Sequence, residues 1–434
     1  MKSTYTEMKD SGVEWLGMIP KHWKLIANKY VMKKQKTICQ HWQGENIMSL
    51  TKVGVIIRDI NNPFGKMPET FDGYQYVQSG NLLMCLFDID VTPRCVGRVL
   101  NNGVTSPAYS NFKLAENASL DYYYYYYLML DNEKTLLHLA KNLRHSFTEE
   151  HLAQLKVPFP PLPEQTAIAA YLDEKCGTID EIIADAKASI EEYKAWKSSV
   201  IFEAVTKGLD PHAEMKDSGV EWIGKVPKNA NVVKLKYLIK GYKAGPFGSA
   251  LITNALLPIG EILVYTPEHI ALKSVESEKN LFLSQNRREE MSQFFVFPGD
   301  IIFPIVGSLG RAMQITESMP TGIINQRLAK FRLNEKSVDR RYFMWLFAHS
   351  SFYSTYIDLF QRGSIIVNLT KTIVGDMPFI CYDLPLQRKI ADYLDEKCST
   401  IDGIIAEKKA LIADMEAYKK SLIFETVTGK RKVC

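Results

Sequence analysis

The sequence lacks the patterns that mark membrane proteins, disulfide scaffolds and common hydrolases. Seven cysteines among 434 residues form no Cys-x-x-Cys pair, which is typical of free thiols in a reducing compartment. No apolar run approaches the roughly 18 residues that span a bilayer. Neither Gly-x-Ser-x-Gly nor His-Glu-x-x-His occurs, so these catalytic motifs are missing. We therefore expect a cytoplasmic protein without a signal peptide and without a catalytic site.

A charge excess of one sign is lacking as well. Lys and Arg number 53 against 49 Asp and Glu, a net charge of +4. That balance excludes a uniformly basic chain that binds any polyanion, but it allows two locally basic surfaces. Hydrophobic residues make up 46% of the chain and charged residues 24%, as in ordinary globular proteins. A chain of this length suits two to four domains.

What the chain does contain is a duplicated frame. Met8–Lys21 returns as Met215–Lys228 with 11 of 14 positions identical, and Leu162–Ala184 matches Leu384–Ala406 at 17 of 23. The sequence between the matched ends is dissimilar in the two copies. We therefore predict two variable globular domains, each followed by a constant helical spacer: 1–157, 158–207, 208–380 and 381–434.

Each spacer carries apolar residues in two rows at heptad spacing, which is typical of a coiled-coil seam. The rows include Leu172, Cys176, Ile179, Ile183, Ile190, Leu394, Cys398, Ile401, Ile405 and Ile412. A helix of an ordinary bundle is the alternative, but duplication makes each helix the natural partner of its copy. The predicted fold class is α+β: two globular α/β domains separated by an antiparallel coiled coil, with a pseudo-twofold internal repeat. Antiparallel pairing would keep Cys176 and Cys398 too far apart for a disulfide.

Each globular domain ends in an aromatic segment, 120–131 or 340–360, that we predict to be helical. The first contains six consecutive tyrosines, Tyr122–Tyr127, for which a strand is the alternative. Packing in a core is favoured over a platform on which bases stack. His138, His145 and His151 have no cysteines or carboxylates at metal-binding spacing, so no metal site is predicted.

Some loops have the residue types that contact nucleic acids. Ala244–Ser249 places glycines on both sides of Phe247, and glycine lets backbone approach a ligand closely. Gly103–Tyr109 and Ile324–Arg327 present hydroxyl, amide and guanidinium groups, which read base edges. Tight structural turns are the alternative for these loops.

Together these motifs resemble one family. The duplicated Asp-Ser-Gly-Val-Glu-Trp, the paired Leu-Pro-x-Gln and Tyr-Leu-Asp-Glu-Lys segments, and the Gly-Pro-Phe-Gly-Ser and Asn-Gln-Arg loops are similar to the specificity subunit of type I restriction–modification enzymes. The resemblance covers essentially the whole chain. One departure is that Trp23 of the first frame becomes Ala230 in the second, which puts the local packing there in doubt.

The resemblance implies a non-catalytic subunit that directs a DNA methyltransferase and endonuclease complex. Its two target-recognition domains would each read one half of a bipartite, asymmetric site in double-stranded DNA. The coiled coil would set the spacing and dock two modification (methyltransferase) subunits, and restriction subunits would join them. S-adenosylmethionine, ATP and Mg²⁺ would then bind to the partners, with no metal or cofactor on this chain.

Candidate DNA contacts are basic, aromatic and polar residues of the two variable domains. They are Lys52, Arg58, Arg94, Arg98, Tyr109 and Lys113 in the first domain, and Lys243, Phe247, Ser249, Arg287, Arg311, Gln326, Arg327 and Arg332 in the second. Arginine pairs with guanine, and cations contact phosphates. Any one of these cations can also be an ordinary surface charge. The alternative function is a coiled-coil scaffold that displays two protein-binding domains; a self-contained methyltransferase or nuclease would need motifs that the chain lacks.

Overall fold

The computed structural model describes the ranges 4–62, 68–139, 147–247, 251, 256–277, 279–307, 310–349, 352–361 and 369–433. The chain divides into two compact units. The first comprises Met1–Lys187 with Lys409–Cys434, and the second comprises Ala188–Lys408. Each unit therefore contains one variable domain together with a stretch of each long helix.

The first unit contains β1 (Met8–Asp10), β2 (Met18–Pro20), β3 (Lys24–Ala27), β4 (Met32–Gln35), β5 (Met48–Thr51), β6 (Gly54–Ile57), β7 (Gln75–Val77), β8 (Asn81–Met84), β9 (Val96–Arg98), β10 (Gly103–Thr105), β11 (Ser110–Leu114) and β12 (Lys156–Phe159). Its helices are α1 (Leu120–Asn132), α2 (Thr135–Leu139), α3 (Glu149–Gln154) and the first part of α4 (Leu162–Lys207).

A four-stranded antiparallel sheet forms the centre of this unit, in the order β4-β11-β8-β9. Successive side chains of a strand point to opposite faces, and all four residues of β8 are buried. Leu82 packs in the core that contains α1, whereas Leu83 packs in a separate core with Met48 and Val77. The sheet is therefore covered by α1 on one face and by the small pairs β5-β6 and β7-β10 on the other.

The tyrosine run lies within α1, which confirms the predicted helix. Ser119 caps the helix by accepting a hydrogen bond from the backbone amide of Tyr122, as N-cap serines do. All six tyrosines are buried, the most exposed at 9%. The base-stacking alternative for this run is therefore wrong, because none of these rings has a free face.

Burial of so many phenols requires a hydrogen-bond partner for each hydroxyl. Tyr122 donates to the carbonyl oxygen of Val427 at 2.9 Å, and Tyr123 donates to that of Pro158 at 2.9 Å. Tyr127 donates to Asn28 Oδ1 at 2.6 Å. These bonds tie α1 to three separate parts of the unit.

The second unit contains β13 (Met215–Asp217), β14 (Lys225–Pro227), β15 (Asn231–Lys234), β16 (Ile239–Ala244), β17 (Leu256–Leu257), β18 (Ile262–Tyr265), β19 (Phe282–Leu283), β20 (Phe295–Val296), β21 (Ile301–Pro304), β22 (Met313–Gln314), β23 (Gly322–Ile324), β24 (Leu328–Leu333) and β25 (Pro378–Cys381). Its helices are α5 (Pro267–Leu272), α6 (Arg340–Met344), α7 (Phe352–Gln361), α8 (Lys371–Gly375), the second part of α4 and the first part of α9 (Leu384–Val427).

The second unit repeats the central sheet but not the layer that covers it. Its four-stranded sheet runs β16-β24-β21-β22, the same arrangement in chain order as in the first unit. Its outer face is covered by a five-stranded sheet, β17-β19-β18-β23-β20, in which β18 and β23 are parallel. The first unit has only short antiparallel pairs in that layer, as far as the described residues go, so the outer layer is where the two domains differ.

The aromatic segment of the second unit is helical, as predicted, but it is not one regular helix. After α6 the chain continues as a π-helical turn over Trp345–His349, and α7 follows. Phe343 and Phe347 of this segment stack at 5.1 Å between ring centres. The segment covers the face of the four-stranded sheet that lies opposite the five-stranded sheet. Helix α1 covers the corresponding face in the first unit.

A buried glutamine at the start of each long helix holds the aromatic helix of its unit. Gln165 Oε1 accepts a bond from the amide of Ser119, and Gln165 Nε2 donates to the carbonyls of Asn117 and Pro160. Gln387 accepts from the amide of Asp339 in the same way. Because both glutamines are fully buried, the duplicated Leu-Pro-x-Gln motif supplies the same clamp twice.

The predicted seam residues form the buried rows of α4 and α9. Nine of the ten are buried, and Ile412 is half-buried. In the first unit Lys419 Nζ lies 2.6 Å from Asp180 Oδ2, and Arg431 bonds to Tyr171. Positions further along α4 thus meet positions earlier in α9, so the two helices are antiparallel, as predicted.

The second unit shows the same antiparallel pairing. Lys197 Nζ lies 2.6 Å from Asp402 Oδ2, and Lys408 lies over the ring of Tyr193. Asp180 and Asp402 are equivalent in the repeat, as are Lys197 and Lys419. The duplicated sequence therefore makes the same ion pair in each unit with the partners exchanged.

The missing tryptophan of the second frame is replaced by a tyrosine from elsewhere. Trp23 is buried with its ring centre 6.4 Å from that of Tyr122, nearly perpendicular to it. In the second unit Ala230 is buried, and Tyr382 lies 6.0 Å from Tyr342 in a similar edge-to-face contact. The packing that the sequence put in doubt is thus completed by Tyr382.

Cys176 and Cys398 are both free and buried. Burial raises the pKa of the Cys176 thiol to about 11, and it raises that of Cys398 as well. Both side chains are packed as small apolar residues of the seam.

Candidate nucleic-acid interface

Two loops that the sequence singled out meet in the second unit. Gly245 donates its amide to the carbonyl of Leu328 at 2.8 Å. A Cβ at Gly245 would lie 1.9 Å from the carbonyl oxygen of Asn325 and 3.1 Å from Gln326 Cα. Only glycine can approach the other backbone this closely. The Gly-Pro-Phe and Asn-Gln-Arg segments are therefore packed directly against each other.

The residues that follow this contact are presented to solvent. Phe247 is 90% exposed, and both Gln326 and Arg327 are exposed. Asn325 holds the turn because its Oδ1 accepts a bond from the amide of Arg327 at 3.0 Å. The two adjoining loops thus carry an exposed aromatic ring, an amide and a guanidinium, and such groups read bases by stacking and hydrogen bonding. We name Phe247, Gln326 and Arg327 the loop cluster.

Further predicted residues of the second unit lie outside the loop cluster. Arg311 is exposed. Ser249 lies outside the described residues. Their predicted contacts with DNA stay predictions.

Three other predicted cations of this unit are engaged within the domain. Arg332 forms an ion pair with Asp300, which is 3% exposed and also lies 3.3 Å from Lys330. Lys243 bonds to Gln293, and Arg287 Nε lies 2.9 Å from Glu290 Oε2. The bond to Glu290 raises the pKa of Arg287. These internal contacts compete with any contact to a phosphate.

In the first unit, a buried side chain holds the loop that ends at Tyr109 by hydrogen bonds. The fully buried Gln75 donates from Nε2 to the carbonyls of Ser106 and Tyr109, at 2.9 and 2.6 Å. The ring of Tyr109 stacks on that of Phe87 at 6.4 Å. Burial raises the pKa of Tyr109, and the nearby charge of Arg58 opposes that shift. Tyr109 and Arg58 are both partly exposed in the first unit.

Arg98 has an internal role. Its Nη1 lies 2.6 Å from Asp121 Oδ1 and 3.1 Å from Asp173 Oδ1, and its guanidinium lies 4.4 Å from the ring centre of Tyr124. Burial lowers the pKa of Arg98, but the two carboxylates outweigh that effect and raise it. Arg98 thus joins β9, α1 and α4, and its predicted contact with DNA stays untested.

Arg94 and Lys52 border a cation-rich cleft in the first unit. Arg94 donates to the carbonyl of Lys52 at 3.0 Å and to the hydroxyl of Tyr124 at 2.6 Å. The cleft measures about 340 Å³ and is also lined by Lys187, Lys419 and Lys420, with Asp131, Asp180 and Glu416 as its acids. Five cations thus face three carboxylates there. We name this feature the basic cleft.

Sequence reasoning missed Lys187, Lys419 and Lys420, because the pattern of the spacers pointed only to the apolar seam. A signal was present, since Lys187 recurs as Lys409 in the repeat, outside the seam. Lys52 and Lys187 are exposed, and neither has an ion-pair partner among the described residues. Lys113 is also exposed, on β11.

The described residues contain neither a candidate metal site nor a candidate membrane span. Within those ranges, no group of three or more His, Cys, Asp or Glu side chains could hold a metal ion. No helix in the described part of the chain is both long and apolar enough to cross a membrane.

The chain is similar to known proteins both in sequence and in fold. A family model described as the type I restriction modification DNA specificity domain matches residues 86–192. The type I restriction enzyme MjaVIII specificity subunit of Methanocaldococcus jannaschii is 24% identical over 291 residues, which cover 64% of this chain and 63% of that protein. The aligned region thus spans less than two thirds of that relative.

Solved structures share the fold over nearly the whole chain. One belongs to work on complex assembly and conformational transition of the type I R-M system; it gives a TM-score of 0.71 at 13% identity and covers 94% of this chain and 98% of that chain. The HsdS subunit from Thermoanaerobacter tengcongensis gives 0.55 at 14% identity, covering 97% and 99%.

The fold and the loops define a class: two β-rich domains with unlike outer layers, with a long helix between them. This is the architecture of the structures just described. Residues 86–192 match the type I restriction modification DNA specificity domain, and the chain is similar in sequence to a type I restriction enzyme specificity subunit and in fold to an HsdS subunit.

Proposed function

We propose that this chain selects the DNA sequence on which a type I restriction–modification complex acts. Each variable domain reads one half of a bipartite, asymmetric site in double-stranded DNA, and the paired helices fix the distance between the halves. The observation that carries the proposal is the contrast between the layers. The central sheet and the glutamine clamp recur in both units, whereas the outer layer differs, as two readers of different half-sites require.

Within each domain, one set of residues contacts bases and another set contacts phosphates. The loop cluster offers a ring, an amide and a guanidinium, and such groups distinguish one base pair from another. Tyr109 and Arg58 are the corresponding candidates in the first domain. Lys52 and Lys187 of the basic cleft carry charge without a fixed geometry, so they suit phosphates, which add affinity but no sequence preference.

The chain itself does no chemistry in this proposal. Two modification subunits dock along the helices and supply the S-adenosylmethionine site and methyl transfer. Restriction subunits add ATP- and Mg²⁺-dependent translocation and cleavage. The resemblance of the whole chain to specificity subunits supports this division, because a reader of DNA needs only surface and spacing.

Methylome sequencing of the host tests the proposal. Deletion of the gene should abolish methylation at one split motif and at no other. Exchange of residues 1–157 for the corresponding domain of a related specificity subunit should change one half of that motif and leave the other half and the gap intact. A methylome unchanged by deletion, or a swap that alters both halves, would contradict the proposal.

A further inference from the structure

A large cleft lies beside the duplicated tryptophan of the first unit. It measures about 730 Å³, and its apolar floor consists of Trp15, Met129 and Phe424. Trp15 is only half-buried, and its Nε1 lies 3.5 Å from the hydroxyl of Tyr126. No aromatic ring packs on Trp15 among the residues that the structure describes. We name this space the Trp15 cleft.

The equivalent tryptophan of the second unit is half-buried as well, but two aromatic rings pack on it. Trp222 occupies the position of Trp15 in the repeat, and Phe202 that of Phe424. The ring of Phe352 lies 4.7 Å from that of Trp222, and the ring of Tyr356 lies 6.2 Å from it. Both covering residues belong to α7 and are buried. In the second unit, two aromatic rings one helical turn apart thus pack on this tryptophan.

The first unit does not supply such rings from its own described helix. In the second unit, α7 lies in the chain between the aromatic segment and α8. In the first unit, α2 has the corresponding place between α1 and α3. Where α7 presents Phe352 and Tyr356, α2 contributes Thr135 and His138 to the wall of the cleft. The two frames are thus built on the same plan, but within the described residues only one contains its own aromatic cover.

The rim of the Trp15 cleft adds a charge preference. Glu14 and Glu133 line it, together with Lys420. Within the described ranges, neither carboxylate has an ion-pair partner. A ligand that brings a basic side chain next to its ring would therefore be favoured over one that brings an acidic side chain.

We propose that the Trp15 cleft takes one helix of a modification subunit, which inserts aromatic side chains one turn apart and places a lysine or arginine near Glu14 and Glu133. The inference rests on the proposed function for the identity of the partner. The second unit provides the template, since α7 already packs such rings on Trp222. The two modification subunits therefore do not bind this chain equivalently, because the tryptophan of the second unit already carries its cover.

Photocrosslinking in the full chain identifies the occupant. His138→p-benzoylphenylalanine places a reactive ketone in the wall of the cleft, and a modification subunit of the host serves as the partner. We expect a crosslink to a helical segment of the modification subunit that contains an aromatic residue. A crosslink to residues 139–146 of this chain, or to a second copy of it, would overturn the inference. So would the absence of any crosslink in a complex that has assembled.

Filling the cleft tests its contribution to assembly. Thr135→Phe places a ring in the space, and we expect the binding of one of the two modification subunits to weaken at least about tenfold, as measured by native mass spectrometry. Glu133→Lys, which is at the surface, should weaken the same copy. Thr316→Phe, an exposed threonine of the second unit, is the matched control and should leave two copies bound.

The outcomes separate this inference from the proposed function. If Thr135→Phe and Glu133→Lys both retain two tightly bound modification subunits, the inference is wrong while the proposed function stands. If the unaltered chain binds no modification subunit, the proposed function fails, and the inference fails with it. Should Thr135→Phe prevent folding, Glu133→Lys and the crosslinks decide.

Discussion

At the scale of single residues, the repeated glutamines are the clearest case of one side chain that holds a domain together. Gln165→Ala would leave the amide of Ser119 and the carbonyls of Asn117 and Pro160 without their partner. Each buried group left unsatisfied costs about 1–3 kcal/mol, so the free energy of unfolding should fall by about 2–4 kcal/mol. Urea denaturation of the full chain measures the change.

The matched control is the next residue in the chain. Thr166 is exposed, and Thr166→Ala should change the free energy of unfolding by no more than about 0.5 kcal/mol. Gln387→Ala should repeat the loss in the second unit, because its bonds to Asp339, Ser337 and Tyr382 have the same pattern. Equal urea midpoints for Gln165→Ala and Thr166→Ala would show that the clamp contributes little.

The tyrosines of α1 give a prediction on pH. Burial raises the pKa of Tyr122 and Tyr127 well above the ordinary value, and it raises that of Tyr123 too. Folding therefore favours the neutral phenols. The stability that this preference supplies is complete below the unfolded pKa of about 10 and is lost as the pH rises above it. Absorbance at 295 nm should show these phenols ionising only as the fold is lost.

The comparison is the same titration in concentrated urea, where all tyrosines are accessible and should ionise near pH 10. A folded chain whose 22 tyrosines all ionised in one step near pH 10, with its circular dichroism unchanged, would contradict the burial of this helix.

At the scale of elements, the ion pairs between α4 and α9 report the direction of the coiled coil. Asp180→Lys should repel Lys419 and lower the free energy of unfolding by about 0.5–1 kcal/mol, since the carboxylate is 61% exposed and exposed pairs contribute little. Adding Lys419→Asp should restore most of the loss. Exchanging the charges of the equivalent pair, Lys197 and Asp402, should give the same loss and the same recovery. A double-mutant cycle by urea denaturation gives the coupling energy.

An ion pair within α4 serves as the control for this double-mutant cycle. Glu191 and Lys194 form a pair within one helix, so their coupling does not depend on how the two helices run. Coupling for Glu191 with Lys194, and none for Asp180 with Lys419, would contradict the antiparallel arrangement.

Elements and seam could be predicted because they depend on local pattern. The heptad rows are properties of the chain alone, and duplication identified the partner of each helix. The tyrosine helix could also be predicted, since the length of the segment and its place in the repeat outweighed the strand propensity of tyrosine. The replacement of Trp23 by Tyr382 was not, because Tyr382 precedes α9 and reaches Tyr342 only through tertiary folding.

The candidate interface was predictable to a lesser degree for a related reason. The loops around Phe247 and Gln326 have unusual composition, and the structure brings them together at Gly245. The sequence could not show which cations form ion pairs within their own domain. Arg98 reaches Asp173 across 75 residues of sequence, and Arg332 meets Asp300 across 32. Such pairs exist only once the sheet has formed.

At the scale of the whole molecule, the basic cleft and the loop cluster should have separable effects on DNA binding by the assembled complex. Lys52→Ala combined with Lys187→Ala removes two charges from the basic cleft. Affinity should fall alike for every sequence, and the slope of log K against log salt should become shallower by up to about 0.9 for each phosphate that is no longer neutralised. Fluorescence anisotropy at several salt concentrations measures the slope.

Gln326→Ala should act differently, because an amide contributes hydrogen bonds to base edges and no charge. It should leave the salt slope unchanged and relax the preference at one position in the half-site read by the second domain, by about 1–3 kcal/mol. The first half-site, bound by the other domain, should keep its preference. A library of sites randomised in each half separately resolves the two effects. Loss of preference in both halves would mean that Gln326 supports the complex as a whole, and a shallower slope would mean that it lies at the backbone; either result would remove the loop cluster from the reading of bases.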